Sequence, residues 1–216
     1  MKGIIFDVDG VLVDVRDSYR KTIIEAASYF TGAGFTLADT QRIKDRGGFN
    51  NDWDVTYALV EEACGRVGDK EQIKAKFQEL YAINKQGEKL LVNPALLARL
   101  DQKLGIVTGR PRGEAMEALG KFGITQYFDT ILTLDDLDGN PNRPDPYILN
   151  KCKGLMGTAY GFFCGDTVDD MKAGKAAGLV PIGITSSGVS AEALLAAGAR
   201  SVIPSINQLE ELLWAL

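Results

Sequence analysis

Histidine is absent from this sequence, and with it go the Ser-His-Asp and Cys-His triads and every histidine-ligated metal site. Cysteine is scarce: Cys64, Cys152 and Cys164 are widely spaced and odd in number, with no CxxC pair. That pattern offers neither a disulfide framework nor a zinc site, and each thiol reads as a small buried hydrophobe. Basic charge is not in excess, since 24 Lys and Arg stand against 29 Asp and Glu, for a net charge of −5. A nucleic-acid groove needs a basic face, so nucleic acid is excluded as a partner. No stretch approaches the roughly 18 apolar residues of a membrane span, and the opening MKGIIFDVDG lacks the long apolar region of a leader. The expectation is a cytoplasmic protein with no membrane partner, acting as a monomer or homodimer.

What is present is an ordinary globular balance, 45% apolar and 25% charged over 216 residues. That length allows one large domain or a core with a smaller companion. Short apolar runs suited to buried strands occur at 2–6, 104–107, 130–132, 160–164, 180–184 and 201–203. Helical stripes lie between them: Met116, Leu119 and Phe122; Ala191 to Leu195 before Gly198; Leu209, Leu212 and Leu213 after a Ser205 cap. Alternation of this kind predicts an α/β fold with a parallel sheet covered on both faces, its site outside the carboxyl ends of the strands.

One segment breaks the alternation. Between residues 15 and 90 there are helical stripes alone, at Ile23, Ile24, Ala27 and Phe30, at Leu59, Val60 and Ala63, and at Ile73, Phe77, Leu80 and Tyr81. This stretch holds 12 basic and 12 acidic residues, so the whole net negative charge falls in the remainder. The pattern predicts a core of residues 1–15 and 91–216 and an inserted all-α domain of residues 16–90.

The chemistry gathers at predicted strand ends. Asp7 and Asp9 close the first strand in IIFDVDG, and Asp166, Asp169 and Asp170 follow the strand YGFFC in GDTVDD. Carboxylates converging on one rim repel one another, and a divalent cation with oxygen ligands relieves the repulsion; Mg²⁺, which accepts one or two carboxylates plus a substrate phosphate, is the natural choice. Thr167 with Asp170 also matches a helix-capping box. In LGIVTGR the next strand ends on Thr108, with Gly109 allowing close approach of a ligand and Arg110 offering a fork of donors. Arg143 in NPNRPDPYIL precedes a helix whose first turn is read as Pro144, Asp145 and Pro146. Taken singly, Thr108 reads as a cap and Arg143 as a solvated cation.

The ordered set, DxD, then a hydroxyl at a second strand, then a cation before a helix, then GDxxxD, resembles the haloacid dehalogenase superfamily across nearly the whole chain. The helical insertion resembles the caps of its subfamily IA, so the resemblance implies a Rossmann-like core with a helical cap. It implies that Asp7 is a nucleophile forming an aspartyl phosphate, and that Asp9 is the general acid and then the general base. It implies that Thr108 binds the transferring phosphoryl group, and that Mg²⁺ is held by Asp7, the main-chain carbonyl of Asp9, Asp166 and, directly or through a neighbour, Asp170. The family usually carries Lys where Arg143 stands; Lys151 and Lys153 are possible substitutes further along the helix. Gly109 and Arg110 would contact substrate. So would Arg46 and Asn50 or Asn51 of the loop 45–55, whose other reading is a plain helix connection with Trp53 packed in the cap. Arg16 and Tyr19, beside the crossing into the insertion, are similar candidates.

Asp9 separates phosphoryl transfer from dehalogenation, because a departing halide needs no proton and the dehalogenases lack this residue. The resemblance therefore implies a Mg²⁺-dependent phosphatase acting on a small phosphorylated metabolite. The alternatives are a phosphomutase of the β-phosphoglucomutase type, or a non-catalytic binding protein on the same fold. A receiver domain phosphorylated on Asp fits poorly, since receivers are shorter and have no helical insertion.

Overall fold

A computed structural model of the chain describes residues 2–49 and 51–215. Its strands are β1 (Lys2–Phe6), β2 (Val13–Asp14), β3 (Lys89–Leu90), β4 (Lys103–Val107), β5 (Thr130–Leu132), β6 (Tyr160–Gly165), β7 (Val180–Ile184) and β8 (Ser201–Ile203). The chain separates into two compact units, Met1–Val13 with Leu90–Leu216, and Asp14–Lys89. The two-residue strands β2 and β3 lie at the crossings between them.

The first unit is the α/β fold. Six strands form one parallel sheet in the order β5-β4-β1-β6-β7-β8. Ile4, Ile5 and Phe6 are all buried, the continuous apolar run of a central strand covered on both faces. Helices α5 (Pro94–Arg99), α6 (Arg112–Lys121), α7 (Tyr147–Met156), α8 (Val168–Ala176), α9 (Ala191–Ala197) and α10 (Leu209–Ala215) belong to this unit. Ile5, Val107, Phe163, Ile148, Cys152 and Met156 share one buried cluster, so α7 seals one face of β1, β4 and β6. All six strands read from the sequence are present, two of them one residue longer than the apolar runs. The Arg143–Pro144 peptide is cis, and α7 begins only at Tyr147, so Pro144, Asp145 and Pro146 precede the helix instead of forming its first turn.

Register decides what meets at the rim. Phe6 is level with Ile106 of β4 and with Cys164 of β6, and the Asp7 N–H donates to the Cys164 carbonyl at 2.9 Å. The three neighbouring strands therefore end side by side, and Asp7, Thr108 and Asp166 leave the sheet on one edge.

The second unit is helical: a five-residue π-turn (Arg16–Arg20), then α1 (Lys21–Thr31), α2 (Leu37–Lys44), α3 (Asp52–Cys64) and α4 (Lys70–Asn84). Ile23 and Ala27 of α1, Leu59 and Val60 of α3, and Ile73, Phe77 and Tyr81 of α4 are buried as the sequence periodicity predicts. Ile24, Phe30 and Leu80 of the same stripes are half-buried, Ala63 is exposed, and Ala26, outside the predicted stripe, is buried. Helix α2 has no such stripe, burying only Thr40 and Ile43, and its start is set by a Thr36–Asp39 capping box. The loop expected over 45–55 is shorter, because the Asn51 side chain accepts from the Trp53 N–H at 2.9 Å and starts α3 at Asp52.

Candidate functional site

Four segments far apart in the chain converge at the carboxyl edge of β1, β4 and β6. Asp7, Thr108, Arg110, Arg143, Asp166, Asp169 and Asp170 are all buried there. Arg143 is the central cation. Its Nη1 lies 3.0 Å from Asp7 Oδ2 and also contacts Asp170 Oδ1, and Nη2 donates to Asp7 Oδ1 at 3.4 Å. Asp170 in turn holds the start of α8. Its Oδ2 accepts from the N–H groups of Asp166 (3.2 Å) and Thr167 (3.1 Å), while its own N–H donates to Thr167 Oγ1 at 3.1 Å. The capping box legible in the sequence is therefore also the mount of Arg143.

The ligand oxygens of Asp7, Asp166 and Asp170 lie within 4.8 Å of one another. Burial pushes the Asp7 carboxyl up to about 8; Arg143 opposes the rise, and the carboxylates of Asp170, Asp9 and Asp166 add to it. With all three carboxylates ionised, as a bound cation would make them, they outnumber the guanidinium by two charges, which one divalent cation cancels. The loop geometry agrees with such an occupant. Gly10 has φ +72°, and a Cβ on it would stand 2.1 Å from Asp166 Oδ2, so only glycine lets the first loop pass that carboxylate. The buried Ser187 Oγ, beside the same point, has no hydrogen-bond partner among the described residues. An all-oxygen, acidic and buried set with an unsatisfied hydroxyl fits a hard, hydrated cation such as Mg²⁺.

Other residues singled out from the sequence fall differently. The Asp9 side chain stands outside the carboxylate cluster; its Oδ1 accepts from Arg110 Nε at 2.7 Å. Arg110, expected to meet substrate, is thus turned to Asp9 and almost fully buried. Thr108 Oγ1 accepts from the Arg110 N–H at 3.2 Å, and Gly109 is half-buried between them. Lys151 and Lys153 are not substitutes for Arg143: Lys151 Nζ binds Asp138 and the Asp136 carbonyl, and Lys153 Nζ binds the Ala177 carbonyl. Within the helical unit, Arg46 pairs with Glu62 at 2.5 Å, Arg16 grips Asp14, Tyr19 stacks on Tyr81 at 4.3 Å, and Lys74 sits over the Trp53 ring at 4.0 Å. Asn50 lies outside the described residues. The loop after β7 escaped the sequence reading: the Ser186 hydroxyl donates to the Gly10 carbonyl, and Ser186 and Ser187 follow a strand end just as Thr108 does, which is the signal that would have found them.

Comparison with known proteins gives the site a context. The family model described as haloacid dehalogenase-like hydrolase matches residues 4–184. A relative from Phytophthora nicotianae named imidazoleglycerol-phosphate dehydratase is 33% identical over 90% of this chain, although the chain spans only 46% of that protein. A phosphoglycolate phosphatase from Yersinia pestis is 30% identical over 86% of this chain and 81% of its own length. Among solved structures, a haloacid dehalogenase-like protein from Agrobacterium tumefaciens superposes with a TM-score of 0.81 at 22% identity, covering 100% of this chain and 98% of that one.

Proposed function

Because the chain belongs to the haloacid dehalogenase-like hydrolase family, we propose that it is a Mg²⁺-dependent phosphatase hydrolysing a small phosphorylated metabolite through an aspartyl phosphate on Asp7. The observation that carries this reading is Asp7 itself, seated at the end of the central strand against Arg143 and beside Asp166 and Asp170. Relatives named phosphoglycolate phosphatase, covered over most of their length, support the substrate class.

In the proposed reaction Asp7 attacks phosphorus in line while the bond to the leaving oxygen breaks, and Asp9 passes a proton to that oxygen. Water then attacks the phosphorus of the aspartyl phosphate, Asp9 takes the proton it gives up, and the bond to Asp7 opens to release phosphate. Arg143 offers a two-pronged donor to the carboxylate and to the charge developing on the phosphoryl oxygens, while Thr108 supplies a hydroxyl at the same rim. Asp7 and Asp166, with Asp170, would hold Mg²⁺, which when bound neutralises the carboxylates and polarises the phosphoryl group. We place the protein in the cytoplasm, a reading supported by three cysteines that are all unpaired. No helix among the described residues is long and apolar enough to cross a membrane.

The test is phosphate release from p-nitrophenyl phosphate and a panel of metabolite phosphates, with Mg²⁺ or with EDTA, for wild type and Asp7→Asn. Turnover that needs Mg²⁺ and vanishes in the variant is the expected result. Equal turnover by wild type and Asp7→Asn would overturn the reading. Silence across the panel would also overturn it; incubation with glucose 1-phosphate and a bisphosphate primer would then report a mutase.

A further inference from the structure

Arg110 is one of the largest fully buried side chains of the molecule, and the mechanism above gives it no part. Its Nε donates to Asp9 Oδ1 at 2.7 Å, and Nη2 lies 2.7 Å from the same oxygen. The root of the side chain is fixed on both sides. The Arg110 N–H donates to Thr108 Oγ1, and its carbonyl accepts from the Leu134 N–H at 3.0 Å. A planar fork on a pinned backbone is a preorganised donor, unlike a flexible ammonium. It reaches across the rim from the turn after β4 to the loop after β1, 101 residues away in sequence.

From this geometry we infer that Arg110 is a positioning residue. It holds Asp9 by Oδ1, so that the carboxylate is turned away from the Asp7–Asp166–Asp170 cluster and proton transfer falls to Oδ2. The inference rests on the phosphatase reading for the role of Asp9, but not for the contact. It reverses the ordinary reading of an arginine at a phosphate site, since this guanidinium serves the proton carrier instead of the phosphoryl oxygens. A misplacement of about 1 Å in such a group costs on the order of 100-fold in rate. The loss falls on kcat, because substrate binding does not use the proton carrier.

The test compares wild type, Arg110→Lys and Arg110→Met on glycerol 3-phosphate, whose alkoxide needs a proton to leave, and on p-nitrophenyl phosphate, whose phenolate does not. For Arg110→Met, kcat on glycerol 3-phosphate should fall about 100-fold with KM within about threefold of wild type. On p-nitrophenyl phosphate the same variant should release a burst of one p-nitrophenol per site and then turn over slowly, because hydrolysis of the aspartyl phosphate still needs Asp9. Arg110→Lys, keeping a donor without the fork, should fall between. A rise in KM at constant kcat would overturn the inference and make Arg110 a phosphate binder. An equal loss on both substrates without a burst would reduce it to a structural role. Crystal structures of wild type and Arg110→Met decide the contact independently. If neither protein releases phosphate from either substrate, the phosphatase reading fails, while a displaced Asp9 carboxylate in the variant upholds the positioning role and an unmoved one overturns it.

Discussion

Replacing Arg143 by Met removes a side-chain cation that touches both Asp7 and Asp170. The thioether fills much of the space of the alkyl stem, so the change tests charge more than volume. Both carboxylates stay buried, and leaving one member of a buried pair without its partner costs about 3–5 kcal/mol. For a chain of this size each kcal/mol lowers Tm by about 2–4 °C, so Arg143→Met should melt roughly 10 °C below wild type in EDTA. The loss should depend on pH. At pH 9, above the value of about 8 to which burial raises Asp7 in the wild type, the wild-type Asp7–Arg143 pair is charged and its loss should cost most; at pH 6 a protonated Asp7 asks less of Arg143. A double-mutant cycle with Asp170→Asn isolates the pair, and the double variant should be less destabilised than the two single effects predict by about 1–3 kcal/mol. Urea and thermal unfolding measured at both pH values supply the numbers. A drop below about 2 °C, or strict additivity in the cycle, would refute the view that Arg143 is bound into the site by its charge.

Metal-free wild type should lose stability as pH rises from the ordinary aspartate value towards 8, because the folded state keeps a proton on Asp7 that the unfolded chain releases; urea unfolding at pH 5.5 and 8.5 should show this slope and Asp7→Asn should flatten it. Gly10→Ala places a Cβ 2.1 Å from Asp166 Oδ2 at a residue with φ +72°, so Mg²⁺ affinity measured by calorimetry should fall by about tenfold or more; unchanged affinity would show that Asp166 does not bind the ion from this position. Burial holds the thiols of Cys164 and Cys152 well above the usual range, Cys152 at about 12, whereas Cys64 is exposed. A thiol reagent should therefore label one cysteine in the native protein and three in guanidinium.

The strands were legible because a parallel sheet covered on both faces demands unbroken apolar runs, and IIF, LGIV and FFCG have little other use. The aspartates were legible for a related reason: charge directly after such a run marks a strand end. Helix α2 was not, because eight residues with two buried side chains carry almost no periodicity. Helix α5 was also passed over, although Asn93 before Pro94 is a helix-start signal. Arg110 and Arg46 show the other limit. Sequence reveals an arginine near a loop, but not whether its charge is already committed, here to Asp9 and to Glu62.

Strand order has a consequence for synthesis. Strand β1 is the first described strand to emerge, yet both of its neighbours, β4 and β6, come later. The helical insertion, whose helices pack on one another, lies between. At about 5–20 residues per second, β1 waits roughly 5–20 s for Lys103 to leave the ribosome. During that time an apolar strand has two unpaired edges, flanked only by Lys2 and Asp7 as guards against misplaced pairing. A nascent chain stalled before β4 would thus present the helical segment behind an orphan strand, the species on which a chaperone or an aggregate would act.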